Sequence, residues 1–232
     1  MAAPTFVSYN STTSAFTATG ATKSTASISW QSGDVVVAVL GAENTNSITL
    51  GVPTVSGLTF TMQKQNNPGT ASSTCASMVA TAVAASSSSG AVSSTATGSN
   101  SGTLFWGMGV YVFRGSAGVG NSAEQHTSTK TVSLTPTGAD SAIVWGVFDF
   151  AGAHTNTATP TATHNEVAIN NSNYDVNISD LDDQVSAGAA SYGVTSTSAG
   201  PFSIVVVEVK AGAGGGASAF DIPQLGMTGV GF

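Results

Sequence analysis

The sequence predicts an all-β fold, an antiparallel β-sandwich of the jelly-roll type, on three observations. Of the 232 residues, 41% are hydrophobic but only 7% are charged, against roughly 25% in ordinary soluble proteins. Ser, Thr, Ala, Gly and Asn take the places of Lys and Glu, and Thr, Gly, Asn and Ser favour strands and tight turns. The apolar residues come in short runs that alternate or are β-branched, and no long segment carries the stripe of an amphipathic helix.

Each predicted strand is a short apolar or alternating run bounded by turn residues. Residues 35–40 are apolar throughout and follow the turn pair Gly33-Asp34, which predicts a strand covered on both faces. Residues 58–62 alternate cleanly and predict a strand with one wet face. The predicted strands in chain order are 35–40, 58–62, 75–84, 104–113, 143–150, 184–193 and 202–209. Because no helices separate them, antiparallel pairing is expected, with the last two strands joined as a hairpin through the turn at 198–201.

The chain divides into a sandwich domain over 1–210, a glycine-rich linker over 211–217 and an apolar tail over 218–232. Within the sandwich, the low-complexity segment 85–102 fits either a long loop or a polar edge strand. The tail fits two roles, covering its own sandwich or docking on a neighbouring subunit, and the flexible tether favours docking. The candidate docking residues are Phe220, Ile222, Leu225, Met227 and Phe232.

The charge pattern argues against several partners. The net charge is -7, and the five basic residues are scattered along the chain rather than clustered, which disfavours nucleic acid and anionic membrane surfaces. These basic residues are Lys23, Lys64, Arg114, Lys130 and Lys210. We find no run long enough for a membrane span and no secretory signal at the N-terminus, so synthesis in a host cytoplasm is expected.

Catalytic signatures are absent from the sequence, so no catalytic, cofactor-binding or metal site is predicted. The single cysteine, Cys75, lies in an alternating apolar run and is interpreted as a buried small residue. Asp149 and Glu208 lie in apolar strands and are the only candidates for a glycosidase pair, and we expect both to sit at strand ends or edges instead.

Two clusters contain residue types that can bind metal ions. For both, we prefer an interpretation without a metal. The imidazoles of His154 and His164, with Asp149 and Glu166 nearby, match no known metal-ligand spacing. The acidic cluster at 175–183 is interpreted as a solvated loop, with a Ca²⁺ site as the alternative. Its four carboxylates are Asp175, Asp180, Asp182 and Asp183.

The three tryptophans, Trp30, Trp106 and Trp145, are interpreted as core or edge-covering aromatics. The alternative is that they form an exposed row of rings that stack on sugars. Sequence does not decide between these two interpretations.

Three stretches resemble a recurrent β-sandwich of phage structural proteins that is similar to carbohydrate-binding jelly rolls. They are SISWQSGDVVVAVLGAE, LFWGMGVYVFRG and QVSAGAASYGVTSTSAGPFSIVVVEVKA, and the similarity covers residues 20–210. The tail also resembles the C-termini of small actinobacteriophage virion proteins. The resemblance implies no catalytic residue. It is a likeness of fold, and a fold does not fix a function.

The resemblance implies a structural protein on the surface of a phage virion, as a minor tail protein or as a capsid decoration or head fibre protein. Its expected partners are other virion proteins, tail or capsid subunits, and further copies of itself, since such parts assemble symmetrically. The alternative is a module that binds a host-surface glycan. An enzyme such as a polysaccharide depolymerase ranks third, because no credible acid–base pair supports it.

Overall fold

A computed structural model describes residues 2–16, 21–43, 48–66, 75–98, 104–149, 155–170, 175–184 and 187–212. These ranges contain sixteen β-strands and no helix, and every strand pairing is antiparallel. The strands are β1 (Thr5–Phe16), β2 (Ala21–Trp30), β3 (Val35–Glu43), β4 (Ile48–Leu50), β5 (Thr61–Asn66), β6 (Cys75–Val83), β7 (Ser88–Gly98), β8 (Leu104–Arg114), β9 (Val119–Thr127), β10 (Thr131–Leu134), β11 (Ser141–Asp149), β12 (Asn156–Thr159), β13 (His164–Asn170), β14 (Asp175–Gln184), β15 (Ala190–Ser196) and β16 (Phe202–Val209). The predicted all-β antiparallel sandwich is confirmed.

The sixteen strands form two repeats of eight with the same topology. In the first repeat, a five-stranded sheet has the order β1-β8-β3-β6-β5 and a three-stranded sheet the order β2-β7-β4. The second repeat has the orders β9-β16-β11-β14-β13 and β10-β15-β12, so each strand corresponds to the one eight places earlier. Each repeat is a sandwich of five strands against three. A sandwich with four strands in each sheet would place β5 beside β4. Here β5 pairs with β6 instead, which gives five strands in one sheet and three in the other.

The four sheets stack as four layers, with the two five-stranded sheets at the centre. Apolar residues of β3 and β11, among them Val37, Val39, Val144 and Phe148, fill the space between these two sheets. Two further cores lie between each five-stranded sheet and its own three-stranded sheet. The central strands are therefore covered on both faces, which explains why 35–40 is apolar throughout.

Equivalent positions of the two repeats meet where β3 packs against β11. Gly33 and Asp140 both have positive φ, 86° and 63°, in the turns before β3 and β11, and this aligns the two repeats. In that alignment Gly41 corresponds to Phe148. A Cβ on Gly41 would lie 2.3 Å from the Phe148 ring. One small and one large residue at this point lets the sheets approach, as expected for repeats packed about an approximate twofold axis.

A second pair of equivalent positions at the same crossing also combines a small residue with a larger one. Val39 corresponds to Gly146, and a Cβ on Gly146 would lie 2.4 Å from Cγ1 of Val39. Two large side chains at either pair would collide. The duplication is not apparent in the pattern of residues, and it is the main feature of the architecture that could not be predicted from the sequence.

Two strand predictions need correction. The strand at 58–62 is wrong because Val55 and Leu58 bridge each other across a turn that contains Gly57, which has φ of 89°. The strand β5 begins only at Thr61. The strand at 184–193 is also wrong, since Gln184 ends β14 and a separate strand, β15, begins at Ala190.

The predicted hairpin between the last two strands is wrong as well. β15 lies in an outer three-stranded sheet, whereas β16 lies between β11 and β9 in a central sheet. The turn at 198–201 therefore carries the chain from one layer to the next. The segment 85–102 contains β7, which is a strand but lies between β2 and β4 rather than at an edge.

The two ends of the sandwich lie together. The N–H of Gly212 donates a hydrogen bond to the carbonyl of Ala2 (3.0 Å). Residues 213–232 lie outside the described residues, and with them most of the linker and the whole candidate docking tail. The predicted docking residues outside the description are Phe220, Ile222, Leu225, Met227 and Phe232.

Candidate functional site

An open cleft of about 420 Å³ lies at the end of the first repeat where β2 and β8 finish and β7 begins. It is lined by Val7, Ser29, Trp30, Gln31, Ser87, Ser88 and Arg114. The pairing of Trp30 with Ser88 brings the end of β2 to the start of β7. This volume lies within the usual range for small-ligand sites.

An ion pair between a half-exposed arginine and a buried aspartate fixes the guanidinium that lines this cleft. Arg114 donates from Nε to Oδ1 of Asp34 and from Nη2 to Oδ2, both at 2.9 Å. Asp34 is 1% exposed and also accepts the N–H of Gln31 at 2.7 Å, whereas the Arg114 side chain is 43% exposed. The hydrogen bonds to Asp34 raise the pKa of Arg114 above its ordinary value. The bidentate pair therefore holds the guanidinium plane in one orientation.

Several polar groups of the cleft have no partner within the described part of the chain. Arg114 Nη1 makes no hydrogen bond there, and the same holds for the hydroxyls of Ser29 and Ser88 and the side-chain amide of Gln31. The indole Nε1 of Trp30 is buried and also finds no acceptor among the described residues. The cleft thus presents an oriented guanidinium edge, and Ser29, Ser88 and Gln31 are further polar residues of its lining.

The second repeat has a smaller cleft at the equivalent place. Val112 pairs with Val36 as Glu208 pairs with Ile143, so that Lys210 corresponds to Arg114. This cleft has a volume of about 210 Å³. It is lined by Ala117, Thr137, Gly138, Ser141, Lys210 and Ala211.

The carboxylate of Glu208, which is fully buried, fastens the loop that narrows this second cleft. Thr137 donates its N–H to both carboxylate oxygens (2.9 Å each) and its hydroxyl to Oε1 (2.8 Å). The hydroxyl of Ser141 donates to Oε1 at 2.7 Å and the N–H of Asn121 to Oε2 at 2.9 Å. Burial alone would raise the pKa of Glu208, but these hydrogen bonds together hold it below its ordinary value.

The other candidate acid, Asp149, also has a structural role. It accepts the hydroxyl of Ser198 at 3.0 Å, and Ser198 in turn accepts the N–H of Gly200, so Asp149 fastens the turn before β16. Asp149 pairs with Phe202 while Glu208 pairs with Ile143 six positions along β11. That separation is about 20 Å at the rise of a strand. Paired glycosidase carboxylates lie within about 10 Å of each other, so these two do not form such a pair.

The acidic segment that we interpreted as a solvated loop is a strand, and that prediction is wrong. Asp180 lies within β14, is fully buried, and binds Nδ1 of His164 through Oδ2 at 3.1 Å. The His164 ring also stacks on Phe6 of the other repeat, with ring centroids 4.0 Å apart. The side chains of the other three acidic residues lie outside the described residues. These are Asp175, Asp182 and Asp183.

Within the described ranges, no three or more His, Cys, Asp or Glu side chains lie close enough to hold a metal ion. His154 and the side chain of Glu166 fall outside those ranges. In the same ranges no helix has the length and hydropathy of a membrane span.

All three tryptophans are buried, and the sugar-stacking alternative is wrong. Trp30, Trp106 and Trp145 are 2%, 1% and 0% exposed, and Trp145 donates its Nε1–H to the carbonyl of Gly193 at 3.0 Å. A ring that stacks on a sugar needs an exposed face, and these rings have none. Their interpretation as core aromatics is confirmed. Cys75 is likewise buried, as predicted.

Comparisons with models of protein families, with curated proteins and with solved structures find no match to this chain. The candidate site must therefore be judged on its geometry. Sequence reasoning missed it because Asp34 and Arg114 lie 80 residues apart. The only local signal was the turn pair Gly33-Asp34 before an apolar strand.

Proposed function

We propose that this chain is a structural protein exposed on the surface of a phage virion, of the minor tail or capsid decoration and head fibre type. The observation that supports this function most directly is the duplicated four-layer sandwich, whose central sheets are buried on both faces. Such a stack holds itself together without a ligand. Its resemblance to phage sandwich domains points in the same direction.

The buried carboxylates also fit a passive building block. Asp34, Asp149, Asp180 and Glu208 each bind another group of the protein and so stabilise turns or the contact between strands. A buried carboxylate without such partners would be costly, and a catalytic one would typically face a cleft. The charges inside the sandwich thus serve the fold.

The outer sheets suit a particle that is exposed to proteases and to other particles. Hydroxyl pairs join neighbouring strands on these sheets, as between Thr22 and Thr95 (2.6 Å) and between Ser24 and Ser93 (2.7 Å). Three of the four outermost strands of these sheets, β4, β10 and β12, have only three or four residues. Short, polar edges limit unwanted sheet extension between molecules.

Attachment to the particle is assigned in this proposal to the tail. The chain leaves the sandwich at Gly212, beside Ala2, and in the sequence a glycine-rich stretch then precedes the apolar residues of 218–232. The tether gives that segment reach to a neighbouring tail or capsid subunit. Further copies of the chain follow the symmetry of the particle.

Deletion of 218–232 tests this proposal. We expect the truncated chain to keep the far-ultraviolet spectrum and urea midpoint of the intact protein, while its amount in purified particles falls below detection by quantitative mass spectrometry. Phe220→Ser with Phe232→Ser should reduce incorporation, whereas the matched changes Ser218→Ala and Thr228→Ala should not. Normal incorporation of the folded, truncated chain would refute tail anchoring.

A second candidate function is binding of a host-surface glycan, and the cleft beside Arg114 favours it. That cleft holds side-chain hydroxyls and an amide without a described protein partner, whereas in its counterpart beside Lys210 the hydroxyls of Thr137 and Ser141 bind Glu208. The two functions are compatible in one virion protein.

A further inference from the structure

We propose that the cleft beside Arg114 binds an acidic saccharide, a uronic-acid oligosaccharide, through one carboxylate and several hydroxyls of the ligand. This proposal rests on the second candidate function, glycan binding, and names its site and the chemical class of its ligand. In this arrangement the carboxylate binds the outer edge of the guanidinium, and the sugar hydroxyls bind Ser29, Ser88 and Gln31.

The guanidinium is already oriented for this purpose. Its Nε and one hydrogen of Nη2 point to Asp34, so Nη1 and the second hydrogen of Nη2 form the opposite edge. That edge matches the two oxygens of a carboxylate, and a bidentate contact of this kind is among the stronger hydrogen-bonded pairs in proteins. Since Asp34 is buried and held by the Gln31 N–H, the arginine need not be reorganised on binding.

Comparison of the two repeats shows which groups the fold needs at this place. In the second repeat, Thr137 and Ser141 bind Glu208, and the cleft shrinks to about half the volume. In the first repeat Asp34 binds Arg114 and the N–H of Gln31, and Ser32 also holds the turn through Ser87 Oγ and the carbonyl of Ala85. The hydroxyls of Ser29 and Ser88, the Gln31 side-chain amide and Arg114 Nη1 make no hydrogen bond with the described residues. A site whose polar groups the fold does not use is available to a ligand.

The lining of the cleft resembles the hydrogen-bonding surface that a saccharide presents. Two hydroxyls and an amide can each donate and accept, as sugar hydroxyls do. Val7, 36% exposed, adds an apolar contact for the C–H face of a sugar ring. Trp30 also lines the cleft, although its indole is buried. A cleft of about 420 Å³ has room for about two sugar rings.

The charge pattern makes the carboxylate decisive for recognition. The chain has a net charge of -7, so it repels anions at long range. An acidic saccharide must therefore gain its affinity from the one guanidinium in the cleft. A neutral oligosaccharide of the same size would lack that contact.

The test is calorimetric titration of the full chain with a uronic-acid tetrasaccharide and with its carboxyl-reduced, neutral counterpart. We expect the intact chain to bind the acidic form at least about tenfold more tightly than the neutral form. Arg114→Lys keeps a cation beside Asp34 but loses the outer edge, and should weaken acidic binding about tenfold. Lys210→Gln, at the equivalent position of the other repeat, is the matched control and should change nothing.

A second variant keeps the proposal testable if Arg114→Lys does not fold. Ser29→Val with Ser88→Val removes both hydroxyls at exposed strand positions where a β-branched residue is well tolerated. It should weaken binding of the acidic and the neutral forms alike, with an unchanged urea midpoint.

Three outcomes decide the matter. Selective acidic binding that is lost in Arg114→Lys and kept in Lys210→Gln supports the proposal. Equal affinity for the acidic and the neutral saccharide, or unchanged affinity in both cleft variants, refutes this site but leaves glycan binding as a function. Absence of binding to either saccharide, or to a broad glycan array, refutes both.

Discussion

Replacing Glu208 by Gln should destabilise the protein in a pH-dependent way. The carboxylate accepts hydrogen bonds from Asn121, Thr137 and Ser141, and both of its oxygens are occupied. A glutamine side chain has the same shape but only one acceptor oxygen. Its NH₂ group would then face an N–H of Asn121 or Thr137 that has lost its acceptor.

The magnitude follows from the bonds that are lost. A hydrogen bond to a charged group contributes about 1.5–3 kcal/mol, and an orphaned buried donor costs about 1–3 kcal/mol. Because Glu208 is fully buried, solvent screens little of this interaction. We expect Glu208→Gln to lower the free energy of unfolding by about 2–4 kcal/mol at neutral pH.

The pH dependence follows from the lowered pKa of Glu208. A carboxylate whose pKa is lower in the folded than in the unfolded state stabilises the fold fully above the unfolded pKa. This contribution is lost as the pH falls through the folded pKa. The difference between wild type and Glu208→Gln should therefore shrink between about pH 5 and about pH 3.

The assay is urea denaturation followed by tryptophan fluorescence at several pH values. Glu124→Gln is the control, since Glu124 is exposed on β9, and it should shift the free energy of unfolding by less than about 0.5 kcal/mol. A loss for Glu208→Gln no larger than the control, or one that stays constant down to about pH 3, would show that the buried charge does not stabilise this loop.

Two further outcomes follow from the packing. Gly41→Ala should cost about 1–3 kcal/mol in urea denaturation because its Cβ would lie 2.3 Å from the Phe148 ring, and Phe148→Leu should recover part of that loss. Additive losses in the double variant would argue against a clash between these two positions. Acrylamide should quench Trp30, Trp106 and Trp145 weakly in the native protein and strongly in urea, since all three are buried; native quenching as strong as in urea would contradict that burial.

The central apolar strands could be predicted from sequence because both of their faces are covered. The strand at 202–209 has the predicted bounds, and its eight residues are all buried. Such runs need no alternation to be recognised, only length and β-branched residues. The polar strands could not be found in this way. In β9 (Val119–Thr127), for example, no residue is fully buried and the residues show no regular alternation.

The duplication was concealed by the way in which the two repeats have diverged. At the crossing of the central sheets, Gly41 faces Phe148 and Val39 faces Gly146, so equivalent positions must differ. Packing about a twofold axis therefore removes sequence similarity where the repeats touch. The turn before β3 and β11 keeps its geometry, but with Gly33 in one repeat and Asp140 in the other.

The candidate cleft was hidden for a different reason. Arg114 could be seen in the sequence only as one of a few scattered cations, and Asp34 only as a turn residue. Their pairing depends on β3 lying beside β8, a contact between segments far apart in the chain. Glu208 could be recognised as a carboxylate in an apolar strand, but its hydrogen bonds to Thr137 and Ser141 join segments far apart in the chain.

The most direct test of the proposed virion role is immunogold electron microscopy of intact particles purified from lysates in which this chain is produced, using an antibody to the sandwich domain. We expect gold at a defined, repeated position on the outside of the tail or the capsid. Unlabelled particles, with the chain recovered only from the soluble fraction of the lysate, would contradict a role as a surface building block.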